Sequence, residues 1–109
     1  MIRYEVMRDV QYGKIGEFLA LQEKKNAVLS GAGLKPFTVL CPAFGGLHYL
    51  TMECNYESIE EYAAEARAAE GLAEIGPINA QLIQLVVPGS ARDQLRKTQL
   101  VPGEAADAR

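Results

Sequence analysis

Residues 47–71 read LHYLTMECNYESIEEYAAEARAAEG, a strand-like run followed at once by a helix-like one. Residues 47–55 are rich in side chains of high strand propensity, which predicts a β-strand. Ser58 followed three residues later by Glu61 matches a helix capping box, and Gly71 supplies the stop. Apolar side chains recur at helical spacing between them, at Ile59, Tyr62, Ala63, Ala66 and Ala69. This stretch therefore predicts a strand that leads directly into an amphipathic helix.

A strand, a helix and a second strand are predicted upstream of this stretch. Residues 2–9 alternate in the manner of a first strand. An apolar stripe at helical spacing then runs to about Ser30, where glycines end the predicted helix. Residues 37–41 lie between two prolines and predict a short strand, because proline cannot donate to a β-ladder. The turn at 42–46 joins this strand to the next one as a hairpin.

The remaining chain is predicted to add one more strand. Residues 72–80 contain a Gly-Pro pair, which favours a turn or a short helix. Residues 81–87 predict the last strand, and residues 90–109 predict a C-terminal extension with one helical turn around 92–97 and a mobile end. The expected organisation is one domain over residues 1–89, followed by this partly mobile extension.

The predicted order β-α-β-β-α-β is that of the ferredoxin-like α+β fold, a four-stranded antiparallel sheet with both helices on one face. Alternation along 81–87 sends apolar side chains to both faces of the sheet. The residues expected under the helices are Ile83, Leu85, Val87, His48, Leu50, Met52 and Cys54. An open face that is also apolar needs a cover, so the sequence predicts a homodimer that packs through that face.

The composition restricts the class of partner. With 109 residues, 49% hydrophobic side chains and a net charge of −3, the chain fits one globular domain and offers nucleic acid no basic surface. No apolar run approaches the ~20 residues that cross a bilayer, and no secretory signal begins the chain, so we expect a cytoplasmic protein without a membrane partner. Cys41 and Cys54 are expected to be free thiols in the core.

Four short segments carry a family resemblance: YEVMR at 4–8, GKIGEF at 13–18, GGLHYL at 45–50 and YESIEEY at 56–62. Together they resemble NIPSNAP-like members of the dimeric α/β-barrel superfamily, over residues 2–88. The resemblance implies a dimer whose two sheets face each other as a barrel, with a ligand cavity between sheet and helices in each protomer. Superfamily members include cofactor-independent monooxygenases, haem-degrading enzymes, dehydratases, cyclases and binding proteins. No catalytic motif of these families carries over to this chain.

His48 is the candidate catalytic residue, because it is the one histidine and its ordinary pKa allows proton exchange near neutral pH. Alternation directs it toward the helix-side pocket, where it could take a proton from a phenol or an enolisable carbon. A histidine at the rim, satisfied by a backbone carbonyl, is the structural alternative. The candidate substrate-binding residues are Tyr4, Tyr62, Phe37 and Met52, for which packing in the core is the competing interpretation.

The expected function is a cofactor-independent enzyme that acts on an aromatic or polyketide-like small molecule by proton transfer, cyclisation or monooxygenation. A non-catalytic ligand-binding or assembly protein on the same dimeric fold is the alternative, and haem binding through His48 is a weaker one. One histidine and two cysteines give no recognisable metal-ligand spacing, so we expect no metal and no cofactor.

Overall fold

The structure is a computed structural model that describes residues 1–44 and 48–99. Its elements, in chain order, are β1 (Ile2–Asp9), α1 (Ile15–Gly31), β2 (Thr38–Leu40), β3 (Tyr49–Tyr56), α2 (Ile59–Glu70), α3 (Ile75–Gln84) and β4 (Arg92–Lys97). The strands form one antiparallel sheet in the order β2-β3-β1-β4. The predicted ferredoxin-like α+β fold is confirmed.

Local signals place the ends of the first two helices. The Ser58 hydroxyl accepts a hydrogen bond from the backbone N–H of Glu61 at 3.1 Å, so the predicted capping box does begin α2. The Glu61 carboxylate reaches back to accept from the backbone N–H of Glu57 at 3.2 Å. The chain leaves α1 through Gly33, whose φ of +78° is a conformation that glycine adopts without strain.

The predicted last strand at 81–87 is wrong, because most of it belongs to α3. The buried residues of this region follow a helical spacing, at Ile75, Ile78, Leu82 and Leu85. Ile83 and Val87, which were expected under the helices, are 72% and 40% exposed. The proline at position 77 lies in the first turn of α3, where its missing N–H leaves no intrahelical bond unmade.

The fourth strand is β4, in the stretch where a helical turn was predicted. It pairs with β1 at the edge of the sheet, so the sheet includes part of the segment that was assigned to a C-terminal extension. Its sequence, RDQLRK, has one apolar residue, and all six of its residues are exposed. An edge strand of this kind carries no alternation that a sequence pattern could reveal. The predicted mobile end, which is the last eight or so residues, lies outside the described residues.

The helix-covered face of the sheet holds the core. The register pairs Tyr4 with Cys54 and Val6 with Met52, and these side chains point toward the helices. Leu50, Met52 and Cys54 are buried there, as predicted. The most completely buried side chains are Phe18, Leu50 and Val10.

The open face is polar, contrary to the expectation of apolar side chains on both faces. That expectation depended mainly on treating 81–87 as a strand. Directly paired residues on this face include Glu5 with Glu53 and Glu5 with Gln94. Glu5 is only 6% exposed, and it accepts hydrogen bonds from Gln94 Nε2 at 2.6 Å and from Arg96 Nη2 at 2.7 Å. Burial of a carboxylate is tolerated here because both of its oxygens are paired.

The two cysteines differ in environment. Cys54 is buried, as predicted, whereas Cys41 is exposed, since it follows the short edge strand β2 rather than lying within the core. Both are free thiols. Among the described residues, no helix combines the length and apolar character that a bilayer crossing requires.

Candidate functional site

Four aromatic side chains meet between the sheet and the helices. They come from β1 (Tyr4), the segment before β2 (Phe37), the end of β3 (Tyr56) and α2 (Tyr62). The ring centroid of Tyr4 lies 6.0 Å from that of Phe37 and 5.0 Å from that of Tyr62, and Tyr56 lies 5.6 Å from Tyr62. These rings line a cavity of about 390 Å³, which we call the aromatic cavity.

A second cavity of about 370 Å³ adjoins the first, and we call it the Asp93 cavity. Its apolar lining comes mainly from α1, β3 and α3, through Phe18, Met52, Leu82 and Ile83. The residues that line both cavities are Tyr4, Lys25, Phe37 and Asn79. Each volume is in the range of small-molecule sites, and the shared lining residues place the two side by side.

A hydrogen-bonded network borders the Asp93 cavity. The Asp93 carboxylate accepts from the Tyr4 hydroxyl at 3.0 Å through Oδ2 and from Arg8 Nη1 at 2.7 Å through Oδ1. Burial, and then the adjacent Asp93 carboxylate, raise the pKa of the Tyr4 hydroxyl well above its usual range. Tyr4 therefore stays a neutral phenol whose oxygen can still accept a hydrogen bond from a ligand.

Lys25 extends from α1 toward the region where the two cavities meet. Its Nζ lies 5.4 Å from the centroid of the Phe37 ring, a cation–π distance. Burial lowers the pKa of its ammonium, the Arg8 guanidinium lowers it further, and the Asp93 carboxylate opposes both. Within the described residues, Lys25 makes no ion pair and no side-chain hydrogen bond. Lys25 thus brings a positive charge to the site that no described carboxylate contacts as an ion pair.

Lys35 lines the aromatic cavity and already has polar partners, as does Cys54 beside it. Lys35 Nζ contacts Glu61 Oε1 at 2.8 Å and donates to the carbonyl oxygen of Asn55 at 2.8 Å. The Cys54 thiol donates to the carbonyl oxygen of Pro36 at 3.0 Å, and burial raises its pKa. These groups are therefore engaged in structure, in contrast to Lys25, which has no ion pair among the described residues.

His48 does not line either cavity. Its ring lies 5.3 Å from that of Tyr12, and its carbonyl oxygen accepts from the backbone N–H of Val10 at 2.8 Å. Its Nδ1 is buried without a hydrogen-bond partner in the described part of the chain, which omits 45–47. Six residues separate His48 from Cys54, the partner of Tyr4, so the two regions are about 20 Å apart along the sheet.

The other predicted site residues do come together. Tyr4, Phe37 and Tyr62 line the aromatic cavity, and Met52 lines the Asp93 cavity with Tyr4 and Phe37. A role of these residues in substrate binding stays a prediction. The described residues contain no group of three or more His, Cys, Asp or Glu side chains placed to hold a metal ion.

Sequence reasoning missed Lys25, Arg8 and Asp93. Lys25 had a usable signal, because it lies in register with the buried residues of α1, which are Phe18, Gln22 and Leu29. A charged residue on a buried stripe needs an explanation. Asp93 had no such signal in the sequence, because the strand β4 that carries it was not predicted.

No family model matches the chain, and no curated protein matches it significantly. Solved structures do. A NIPSNAP family protein from Agrobacterium tumefaciens is 17% identical, with a TM-score of 0.74 over 94% of this chain and 98% of the other. A NIPSNAP-like domain protein from Burkholderia xenovorans is 18% identical, with a TM-score of 0.73 over 90% and 84%.

This chain has the NIPSNAP-type fold. The predicted resemblance is confirmed at the level of the fold. The same architecture occurs in a protein from Nitrosomonas europaea that is provisionally named an antibiotic biosynthesis monooxygenase, at 13% identity and a TM-score of 0.69 over 92% and 100% of the two chains. The NIPSNAP-type fold therefore occurs both in structures of unknown function and in one with an enzyme name.

Proposed function

We propose that the protein is a cytoplasmic, cofactor-independent enzyme that carries out proton transfer on a small aromatic or polyketide-like molecule bound in the two adjoining cavities. The observation that carries the proposal is the hydrogen bond from Tyr4 to Asp93 on a volume walled by aromatic rings. A polar pair facing an apolar cavity is the usual arrangement of a small-molecule site.

The Tyr4–Asp93 pair can relay a proton. The Tyr4 oxygen accepts the hydroxyl proton of a substrate while its own proton passes to Asp93 Oδ2, 3.0 Å away. Arg8 holds the other carboxylate oxygen and so fixes the direction of the pair. We therefore transfer the proposed proton-transfer role from His48, which lines neither cavity, to Tyr4 and Asp93.

Monooxygenation is the specific reaction that the likeness to the Nitrosomonas europaea protein favours. For a naphthol, reaction of its anion with O₂ gives a quinone and water. The substrate loses its hydroxyl proton and one ring hydrogen, and it gains one oxygen atom. The substrate itself supplies the four electrons that reduce O₂, so a metal or flavin is not required for the electron balance.

The test is turnover of naphthols by the purified protein, followed by oxygen uptake and product mass. We expect conversion to quinone, and a fall in kcat of about 100-fold or more in Tyr4→Phe and in Asp93→Asn. Tyr49→Phe, a matched change on the open face, is expected to leave kcat unchanged. His48→Ala separates the two hypotheses: a large loss of kcat there, with Tyr4→Phe unaffected, would return the role to His48.

A non-catalytic ligand-binding protein is the second candidate function. It is favoured by Lys35, which lines the aromatic cavity and whose Nζ is already held by Glu61 and by the carbonyl oxygen of Asn55, so that it is engaged in structure. Saturable binding of a naphthol without any product would support it over the enzyme.

We also propose a homodimer through the open sheet face. None of the helices in residues 1–44 and 48–99 covers this face, and its side chains carry both charges, with Arg3 within 3.9 Å of Glu53 and Arg96 within 2.7 Å of Glu5. A face of mixed sign can complement a second copy of itself. Light scattering should give twice the chain mass of 11.9 kDa, and Met7→Asp on this face should halve the value. A wild-type mass of one chain at micromolar concentration would refute the dimer.

A further inference from the structure

We infer that the ligand of the two cavities is an aromatic carboxylic acid, whose carboxylate pairs with Lys25 Nζ while its ring contacts Tyr4 and Phe37. The inference rests on the proposed function, because it assigns a chemical class to the molecule that this same site binds.

The positive charge of Lys25 is the first step of the argument. Three other cations near the sheet and α2 are closely paired: Arg8 contacts Asp93 at 2.7 Å, Lys35 contacts Glu61 at 2.8 Å and Arg96 contacts Glu5 at 2.7 Å. Lys25 has the ring of Phe37 at 5.4 Å instead, and no carboxylate among the described residues forms an ion pair with it. A half-buried ammonium without a counter-ion is destabilised by its lost hydration, and a bound anion would relieve that cost.

The Asp93 carboxylate, which lines the Asp93 cavity with Lys25, is already occupied. Asp93 gives Oδ1 to Arg8 and Oδ2 to the Tyr4 hydroxyl, so both of its oxygens have partners. The charged side chains that line the Asp93 cavity are Arg8, Lys25 and Asp93, which leave one net positive charge. The carboxylates of Glu65 and Glu70 line the aromatic cavity, but among the described residues neither forms an ion pair with Lys25. A singly charged carboxylate on the ligand therefore complements the positive Asp93 cavity.

The aromatic part of the ligand follows from what surrounds Lys25. Tyr4 and Phe37 line both cavities beside it, and their ring centroids are 6.0 Å apart. The lining of the Asp93 cavity beyond them is apolar, with Phe18, Met52 and Leu82. A ring that contacts these side chains brings a carboxylate on its edge within reach of Lys25 Nζ.

The experiment compares two probes of the same shape and different charge, 2-naphthoate and its neutral amide, 2-naphthamide. Binding to the full-length protein is followed by calorimetry. We expect wild-type protein to bind naphthoate at least tenfold more tightly than naphthamide, and Lys25→Met to reduce that ratio to about one while it still binds naphthamide. Lys24 is the neighbouring exposed lysine, so Lys24→Met is the matched control and should keep the wild-type ratio of the two affinities. Lys25→Arg should keep most of it.

Two results would overturn the inference, and they differ. If wild-type protein binds both probes equally, or if Lys25→Met keeps the preference for naphthoate, the carboxylate assignment is wrong while the cavity remains a binding site. If neither probe binds to wild-type protein, the proposed small-molecule site fails as well. Thermal melting of each variant separates loss of binding from loss of fold.

Discussion

Glu5 and Lys25 are both charged residues withdrawn from solvent, and they differ in what surrounds them. Glu5 lies on the open face of the sheet, where Gln94 and Arg96 satisfy both of its oxygens. Lys25 lies on the helix side, faces a ring and a cavity, and has no ion pair within the described residues. A buried charge with its partners in place is part of the framework. A buried charge without them is the better indication of where a ligand binds.

The contrast between the paired Glu5 and Lys25 can be tested first by removing a partner of Glu5. In Arg96→Met the carboxylate keeps its burial and loses a charge-assisted hydrogen bond. We expect the free energy of unfolding at pH 7 to fall by about 1 kcal/mol, a figure already reduced because Arg96 is half exposed. Lys97 is the next residue along β4, so Lys97→Met is the matched control. It should change the free energy of unfolding by less than about 0.5 kcal/mol.

The loss in Arg96→Met should depend on pH with a defined sign. Hydrogen bonds from Arg96 and then Gln94 lower the pKa of Glu5 below its ordinary 4.5. A carboxyl with a lowered folded-state pKa adds stability above its unfolded pKa and loses it as the pH falls through the folded pKa. Urea unfolding should therefore show the full difference between wild type and Arg96→Met above pH 4.5, shrinking in more acid solution. A constant difference from pH 7 to pH 3 would mean that Arg96 acts through packing alone.

The sequence was informative where structure is set by neighbours in the chain. The Ser58–Glu61 capping box and the glycines after α1 are local devices, and both helices begin or end at them. The burial of Leu50, Met52 and Cys54 followed from alternation along β3. These features need no knowledge of the rest of the fold.

Prediction from the sequence failed where tertiary pairing overrides the local pattern. The Gly76-Pro77 pair suggested a break, but a proline in the first turn leaves the helical spacing of Ile75, Ile78 and Leu82 intact. The strand β4 lies at the edge of the sheet, and all of its residues are exposed and mostly polar. Its sequence therefore has no apolar alternation from which a strand could be predicted. The bond from Tyr4 to Asp93 joins residues 89 positions apart, which spacing cannot reveal.

The smallest effect on stability is expected at Lys25, where substitution should stabilise the protein, in contrast to Arg96→Met. Lys25→Met replaces a desolvated ammonium with an apolar side chain of similar length on the buried stripe of α1. The free energy of unfolding of the ligand-free protein should therefore rise by about 0.5 kcal/mol. Lys24→Met, on the exposed side of the same helix, should be neutral in the same urea titration. If Lys25→Met instead destabilised the free protein as Arg96→Met does, Lys25 would have a structural partner like Glu5, and its charge would no longer indicate a ligand.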